Sequence, residues 1–202
     1  KVIRTHDEFY AEESSKLPVR ETFIQTADLI ERFKTNSSKN ISIADIGCAT
    51  GVFVNYLMNR FPEEKIVGYE YLASLIKSGE KTFPNIEINQ ASVLDRDSIA
   101  ESDFDVITLM GVLSIFDDVE PVIANLIHWT KPNGKIYIHG MFNPNDIDVF
   151  LKYRKCENYG IPEYESGWNI ISQKSIQNIF NDYGITDIKF HPFNLSINLE
   201  KH

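Results

Sequence analysis

Cysteine is scarce in this chain, with two in 202 residues, Cys48 and Cys156, far apart in sequence. Such a pair cannot build a disulfide framework, and a reducing compartment, the cytoplasm, is the expected location. Long apolar runs are also missing. The longest, Val106 to Phe116, is interrupted by Thr108, Gly111 and Ser114 and falls well short of the roughly 20 residues that a membrane helix needs. The opening stretch, Lys1 to Glu8, turns polar at once, which is not the pattern of a signal peptide. Positive charge is in deficit: 20 Lys plus Arg stand against 29 Asp plus Glu, a net charge of −9. That balance speaks against a general nucleic-acid backbone binder, which wants a basic surface. Neither a nucleic-acid nor a membrane partner is expected. There is no internal repeat, low-complexity tract or domain linker.

Hydrophobic residues at 43% and aromatic residues at 12% are ordinary globular proportions. The length fits one domain, residues 1–202, with a core that needs no disulfide or metal staple. Hydrophobic periodicity alternates along the chain. Residues 19–34 space Phe23, Ala27, Ile30 and Phe33 as on one side of a helix. Ile41 to Ile46 reads as a strand, Val52 to Phe61 as a helix stopped by Pro62, Lys65 to Glu70 as a strand and Leu72 to Thr82 as a helix. Ile86 to Asn89 and Phe104 to Met110 read as further strands, the latter nearly all apolar, as for a parallel strand covered on both faces. Asp117 or Asp118 is placed to cap a helix that Lys131-Pro132-Asn133-Gly134 ends. Lys135 to Phe142 is the next strand, Gln173 to Tyr183 a helix stopped at Gly184, and Asp187 to Phe193 a last strand. Short connections between alternating strands and helices imply right-handed crossovers and a doubly wound parallel sheet.

Open parallel sheets bind ligands outside the carboxyl ends of their strands, where the strand order reverses. The first strand-to-helix turn is Asp45-Ile46-Gly47-Cys48-Ala49-Thr50-Gly51. It offers an acid at the strand end, two glycines against which a ligand can lie without meeting a Cβ, and a helix start with free N–H groups. Nineteen residues beyond Gly51, Glu70 closes the second strand, where a carboxylate can accept both hydroxyls of a ribose. A nicotinamide dinucleotide site would use such an acid as well. Its fingerprint is G-x-G-x-x-G, however, and positions 49 and 52 here are Ala and Val.

In these residues the chain resembles the class I S-adenosylmethionine-dependent methyltransferases of small-molecule type. The glycine-rich turn looks like their first motif, and Glu70 sits where their ribose-binding acid lies. Phe104 to Leu113 looks like their fourth-strand motif, and Leu126 to Ile138 like their following helix, turn and fifth strand. The likeness covers residues 40–142. It implies an α/β fold with a doubly wound, mostly parallel Rossmann-like sheet of the seven-stranded methyltransferase type, its last strand short or missing. It also implies S-adenosylmethionine as cofactor. Gly47, Cys48, Ala49 and Gly51 would cradle the methionine portion and the adenosine linkage, and Asp45 would orient the methionine amino group. Glu70 would hold the ribose and Tyr71 would lie against the adenine. Ser92 and Val93 stand where relatives often carry an adenine-reading acid, so Ser92 or a backbone carbonyl would take that contact. Met110 and Gly111 would line the sulfonium region.

Methyl transfer from a sulfonium is an in-line displacement that mainly needs alignment and exclusion of water. An oxygen acceptor usually also loses a proton to a base. His139, near the end of the fifth strand, is the best-placed histidine. No acidic constellation suggests a metal, and none is expected. Residues 1–36 are read as an N-terminal lid and helix in which Tyr10 neighbours the cofactor and Arg20 pairs with its carboxylate. Residues 143–172 are read as an acceptor-binding insertion, with Asn143, Tyr164, Trp168 and Asn169 as candidate contacts. The expected acceptor is a small polar metabolite methylated on oxygen, such as a sugar or sugar derivative. The competing reading is a catalytically silent cofactor-binding subunit that modulates a partner.

Overall fold

Residues 41–46 are apolar except for Ser42 and Asp45, and they form the middle of a sheet covered on both faces. A computed structural model describes residues 19–35 and 39–192. In it, helix α1 (Glu21–Lys34) precedes strand β1 (Ser42–Ile46), α2 (Val52–Arg60), β2 (Lys65–Glu70), α3 (Ala73–Thr82) and β3 (Ile88–Gln90). Then come β4 (Phe104–Met110), α4 (Glu120–Trp129) and β5 (Thr130–His139). All neighbours in the five-stranded sheet are parallel, in the order β3-β2-β1-β4-β5. The order reverses between β1 and β4.

Side-chain alternation divides the interior into two layers. Ile43 and Val106, in register on β1 and β4, join Phe23, Ala27 and Ile30 of α1 and Phe53, Val54 and Leu57 of α2. The next pair, Ala44 and Ile107, faces the other way, towards Val122, Ile123, Leu126 and Trp129 of α4. A strand repeats every two residues, so adjacent positions serve opposite layers. The amino edge of the sheet is tied by one polar knot. Asp105 Oδ2 accepts from Ser42 N (2.8 Å), Ser42 Oγ (2.7 Å) and Lys131 Nζ (2.9 Å), joining β1, β4 and β5.

The remaining elements depart from the sequence expectation in three places. β5 begins at Thr130, paired with Phe104, and pairing resumes at Lys135 opposite Val106. Lys131 to Gly134 is therefore a bulge within the strand rather than a turn before it. β5 stops at His139, and β6 (Phe142–Asn143) pairs instead with β9 (Ile171–Ser172), just before α5 (Gln173–Asp182). The expected strand from Asp187 to Phe193 has no ladder over its described part, residues 187–192. Ile188 and Phe190 pack against the core, Phe190 edge-on to Phe142 at 5.8 Å. Alternating apolar side chains set a facing direction there without a neighbouring backbone to bond.

Gly79 lies inside α3, where alanine would ordinarily be the better helix former by about 1 kcal/mol. A Cβ at Gly79 would stand 2.7 Å from Thr50 O and 3.0 Å from Ile88 Cδ1. Gly79→Ala is expected to destabilise the protein by about 1–3 kcal/mol, the scale of an overpacked contact. Urea denaturation checks the sign.

Candidate functional site

The carboxyl ends of β1 and β4 meet where the strand order reverses, and the glycine-rich turn lies there. Gly47 and Cys48 both donate their amides to Tyr69 O, at 2.7 and 3.1 Å. Gly51, at φ 76, starts α2 in a left-handed conformation, and a Cβ on it would come within 2.4 Å of Ile86 Cδ1. Only glycine suits both demands. Ala49 is also left-handed, at φ 51, which costs an L-residue roughly 1–2 kcal/mol. What holds it there is Glu70.

Glu70 is 7% exposed at the end of β2. Its Oε2 accepts from Ala49 N at 3.0 Å and its Oε1 from Leu72 N at 2.8 Å. Asp45, at 1% exposure, accepts from Thr108 Oγ1 at 2.7 Å across the β1–β4 seam. Burial pushes its carboxyl up to about 7; the Thr108 hydrogen bond pulls the other way, and the Glu70 charge adds to the rise. Burial also raises the Cys48 thiol, which is therefore not poised as a nucleophile. Thr50 Oγ1 is buried with no hydrogen-bond partner among the described residues.

On the β4 side, Gly111 has φ 80, and nothing stands within 4 Å of where a Cβ would be. Its amide donates to His139 O at 2.9 Å. His139 closes β5 with its imidazole pKa lowered, first by burial and then by the positive charge of Arg20. The ring is thus neutral at pH 7, and the start of α1 lies beside it. Met110 packs in the α1–α2 layer, its Sδ 3.9 Å from Thr26 Oγ1. Tyr71 is 43% exposed next to Glu70, its carbonyl held by Gln90 Nε2 at 3.0 Å. Ser92 Oγ accepts from Leu94 N at 3.3 Å. Val93 packs on the core and its carbonyl takes Asn125 Nδ2 at 2.8 Å, so that carbonyl already serves the fold.

The expected acceptor residues are not all alike. Two short strands, β7 (Lys152–Tyr153) and β8 (Glu165–Ser166), form a hairpin. Three positions separate Val149 from Lys152, whereas four separate Ser166 from its counterpart Ile170. The extra residue makes a bulge, at which Trp168 has φ 58 and its ring lies 5.0 Å from that of Tyr153. Asn169 fills the gap in the ladder. Its Oδ1 accepts from Leu151 N, and its Nδ2 donates to Phe116 O and Asp117 Oδ1. At 1% exposure its amide is enclosed by these bonds and staples the hairpin to the loop after β4. Asn143 is likewise occupied, bonding Asn145 N and Ile147 O within its own turn. Tyr164 and Trp168 are about half exposed, at 56% and 45%. Tyr10 lies outside the described residues.

Three contributors escaped the sequence reading. Thr108 is the lone hydroxyl in an apolar strand, a signal that it needs a buried partner. Gln90 gave no signal. Asp117, read as a helix cap, instead accepts from Lys152 Nζ, Ser166 Oγ and Asn169 Nδ2 and so ties the hairpin to the loop after β4. Asp118 Oδ1 takes the Glu120 amide at the helix start.

A family model for a methyltransferase domain matches residues 19–189. The chain belongs to that family. That family is of the class I S-adenosylmethionine-dependent methyltransferase type. The malonyl-acyl-carrier-protein O-methyltransferase of Paenibacillus sp. (strain JDR-2) is 25% identical over 171 residues, 79% of this chain and 60% of that protein. The trans-aconitate 2-methyltransferase of Azoarcus sp. (strain BH72) is 24% identical over 111 residues, 55% of this chain and 42% of that protein. The solved structure of Streptomyces venezuelae DesVI is similar in fold, with a TM-score of 0.58 and 13% identity over 89% of this chain and 88% of that one. The chain spans less than two thirds of the length of the curated relatives it matches.

The cradle of this methyltransferase domain fits the cofactor on its own geometry: a left-handed turn, the open space at Gly111 and a carboxylate at the end of β2 that bonds the amides of both flanking turns. Among the described residues no cluster of His, Cys, Asp and Glu could hold a metal. No helix there is long and apolar enough to cross a membrane.

The Asp45 carboxyl stands above its ordinary value, so the native state holds a proton that the unfolded chain releases between about pH 4 and 7. Stability contributed by this group is therefore greatest at low pH and is lost as pH rises towards 7. Asp45→Asn is expected to stabilise the ligand-free protein at pH 8 by up to about 4 kcal/mol, the equivalent of a rise from 3.8 to about 7. The gain should vanish near pH 4. Denaturation at the two pH values tests it.

Proposed function

We propose that the protein transfers the methyl group of S-adenosylmethionine to an oxygen of a small polar acceptor, and that this oxygen belongs to a carboxylate. Gly47, Ala49, Gly51 and the first amides of α2 would hold the methionine and linkage portions. Glu70 would take the ribose hydroxyls, and ionised Asp45, with Thr108 behind it, would face the amino group. Arg20, whose charge is felt at His139, would meet the methionine carboxylate. The bound sulfonium supplies an activated methyl with a neutral leaving group. The protein's own task is to align an acceptor and exclude water.

The observation that carries the carboxylate reading is the electrostatics around His139. It is the histidine at the end of β5, and burial and Arg20 make it a weaker base than a free imidazole. A carboxylate is already an anion at neutral pH and needs no base. Malonyl groups and trans-aconitate, named in two relatives, both carry carboxylates. A sugar hydroxyl is the second reading, favoured by the adjoining Tyr153 and Trp168 rings with Glu165 bonded to the Tyr153 hydroxyl at 2.9 Å. There His139 would take the proton.

Calorimetry with S-adenosylmethionine and S-adenosylhomocysteine, with NAD as control, followed by mass spectrometry on carboxylate and sugar panels, tests the reading. Methyl esters that form at similar rates in wild type and His139→Ala support the carboxylate. A fall of about 10²–10⁴-fold in His139→Ala, the scale of general-base catalysis, marks the hydroxyl instead. Cofactor binding with no product on either panel, together with a stable protein partner, would identify a silent subunit.

Glu70→Gln should destabilise the protein by about 1–3 kcal/mol, because one of the two amides would then face an NH₂ donor. It should also weaken S-adenosylhomocysteine binding at least tenfold. Unchanged affinity would remove Glu70 from the cofactor site.

A further inference from the structure

The chain carries a net charge of −9, so an anionic acceptor must be met by a local cation that is not already neutralised. Three cations follow one another closely on the hairpin. Lys152 is committed to Asp117 and Ser166. Lys155 is exposed and precedes the short turn Cys156–Asn158. Arg154 differs from both. Its guanidinium lies 5.3 Å from the ring centre of Tyr159 and 5.2 Å from that of Tyr164, and its Nη1 donates to Ile161 O at 2.7 Å.

Two aromatic rings and one carbonyl thus fix the group. A guanidinium has five N–H donors, and Ile161 O uses one of them. Glu157, Glu163 and Glu165 are all within eleven residues in sequence, yet among the described residues no carboxylate forms an ion pair with Arg154. Glu165 Oε2 accepts the Tyr153 hydroxyl instead. Stacking restricts the guanidinium beforehand, so less rotamer freedom is lost when it binds an anion, and its planar fork matches a carboxylate. The hairpin is itself anchored through Asp117 and Asn169 to the loop that leaves β4.

We propose that Arg154, held by Tyr159 and Tyr164, is an anion subsite that takes a second carboxylate of the acceptor, distinct from the one that is methylated. This rests on the carboxylate reading above. A guanidinium bonded to the reacting oxygens would draw away the lone pair that must attack the methyl carbon, so the anchored group is a separate one. The acceptor class is therefore a di- or tricarboxylate.

The test uses trans-aconitate, malonate, acetate and inorganic phosphate, titrated calorimetrically with and without saturating S-adenosylhomocysteine. Trans-aconitate or malonate should bind at least tenfold more tightly than acetate. Arg154→Gln should bring that ligand to the acetate level while S-adenosylhomocysteine affinity stays within twofold. Arg154→Lys, which keeps the charge but not the fork, should fall between, and Tyr164→Leu should weaken binding with the arginine intact. Equal affinity in wild type and Arg154→Gln, no preference over acetate, or tighter binding of phosphate than of either polycarboxylate would overturn the subsite. Failure of S-adenosylhomocysteine to bind would instead count against methyl transfer, since the carboxylate titrations are also read without it.

Discussion

One carboxylate joins the two turns at the carboxyl ends of β1 and β2. Glu70 receives the Ala49 amide from the turn after β1 and the Leu72 amide at the start of α3. The first bond keeps Ala49 in a backbone conformation that alanine avoids, and the second sets the direction in which α3 leaves the sheet. Because the parallel register places Tyr69 beside Ile46, Glu70 arrives where that turn begins. Gly47 and Cys48 then bond Tyr69 O, and Val112 closes over Gly47. The ends of β1, β2 and β4 are in this way fitted to one another before any ligand is present.

The site also concentrates features that cost stability. Asp45 is a buried acid whose ionisation the fold disfavours, Ala49 is strained, and Thr50 keeps a buried hydroxyl without a partner among the described residues. Two buried carboxyl groups near each other repel when both are ionised. A core optimised only for stability would replace Asp45 with an apolar residue and Ala49 with glycine. Their presence fits a site arranged for a cation and a ribose, with the cost offset by the apolar layers on either side of the sheet.

The 143–172 segment belongs to the same mechanical unit although it is far along the chain. Asp117 and Asn169 connect both sides of the hairpin to the β4 loop, and Lys152 beside Asp117 holds that carboxyl below its usual range. Each exposed ion pair contributes little alone. The buried Asn169 amide, with three bonds across two segments, fixes the geometry. Tyr159, Tyr164 and Trp168 remain exposed on that segment.

The sequence by itself determined the alternation of strands and helices, the glycine-rich turn and Glu70, because these depend on local periodicity and on short spacings in one chain direction. Strand periodicity also gave Ile43 and Ala44 opposite faces. It misjudged the span from Asp187, since an apolar alternation specifies a face and not a bonding neighbour. It could not tell that Asn143 and Asn169 bond backbone groups of their own segments and neighbours, since a polar residue in an aromatic loop looks the same whether its amide faces a ligand or a neighbouring carbonyl. Only the tertiary structure decided that Thr108 bonds Asp45, that Asp117 serves the hairpin rather than α4, and that Arg154 is held by two tyrosines. Each of these contacts joins residues whose side-chain directions are set by register, bulge or turn geometry, and those directions exist only once the segments have packed.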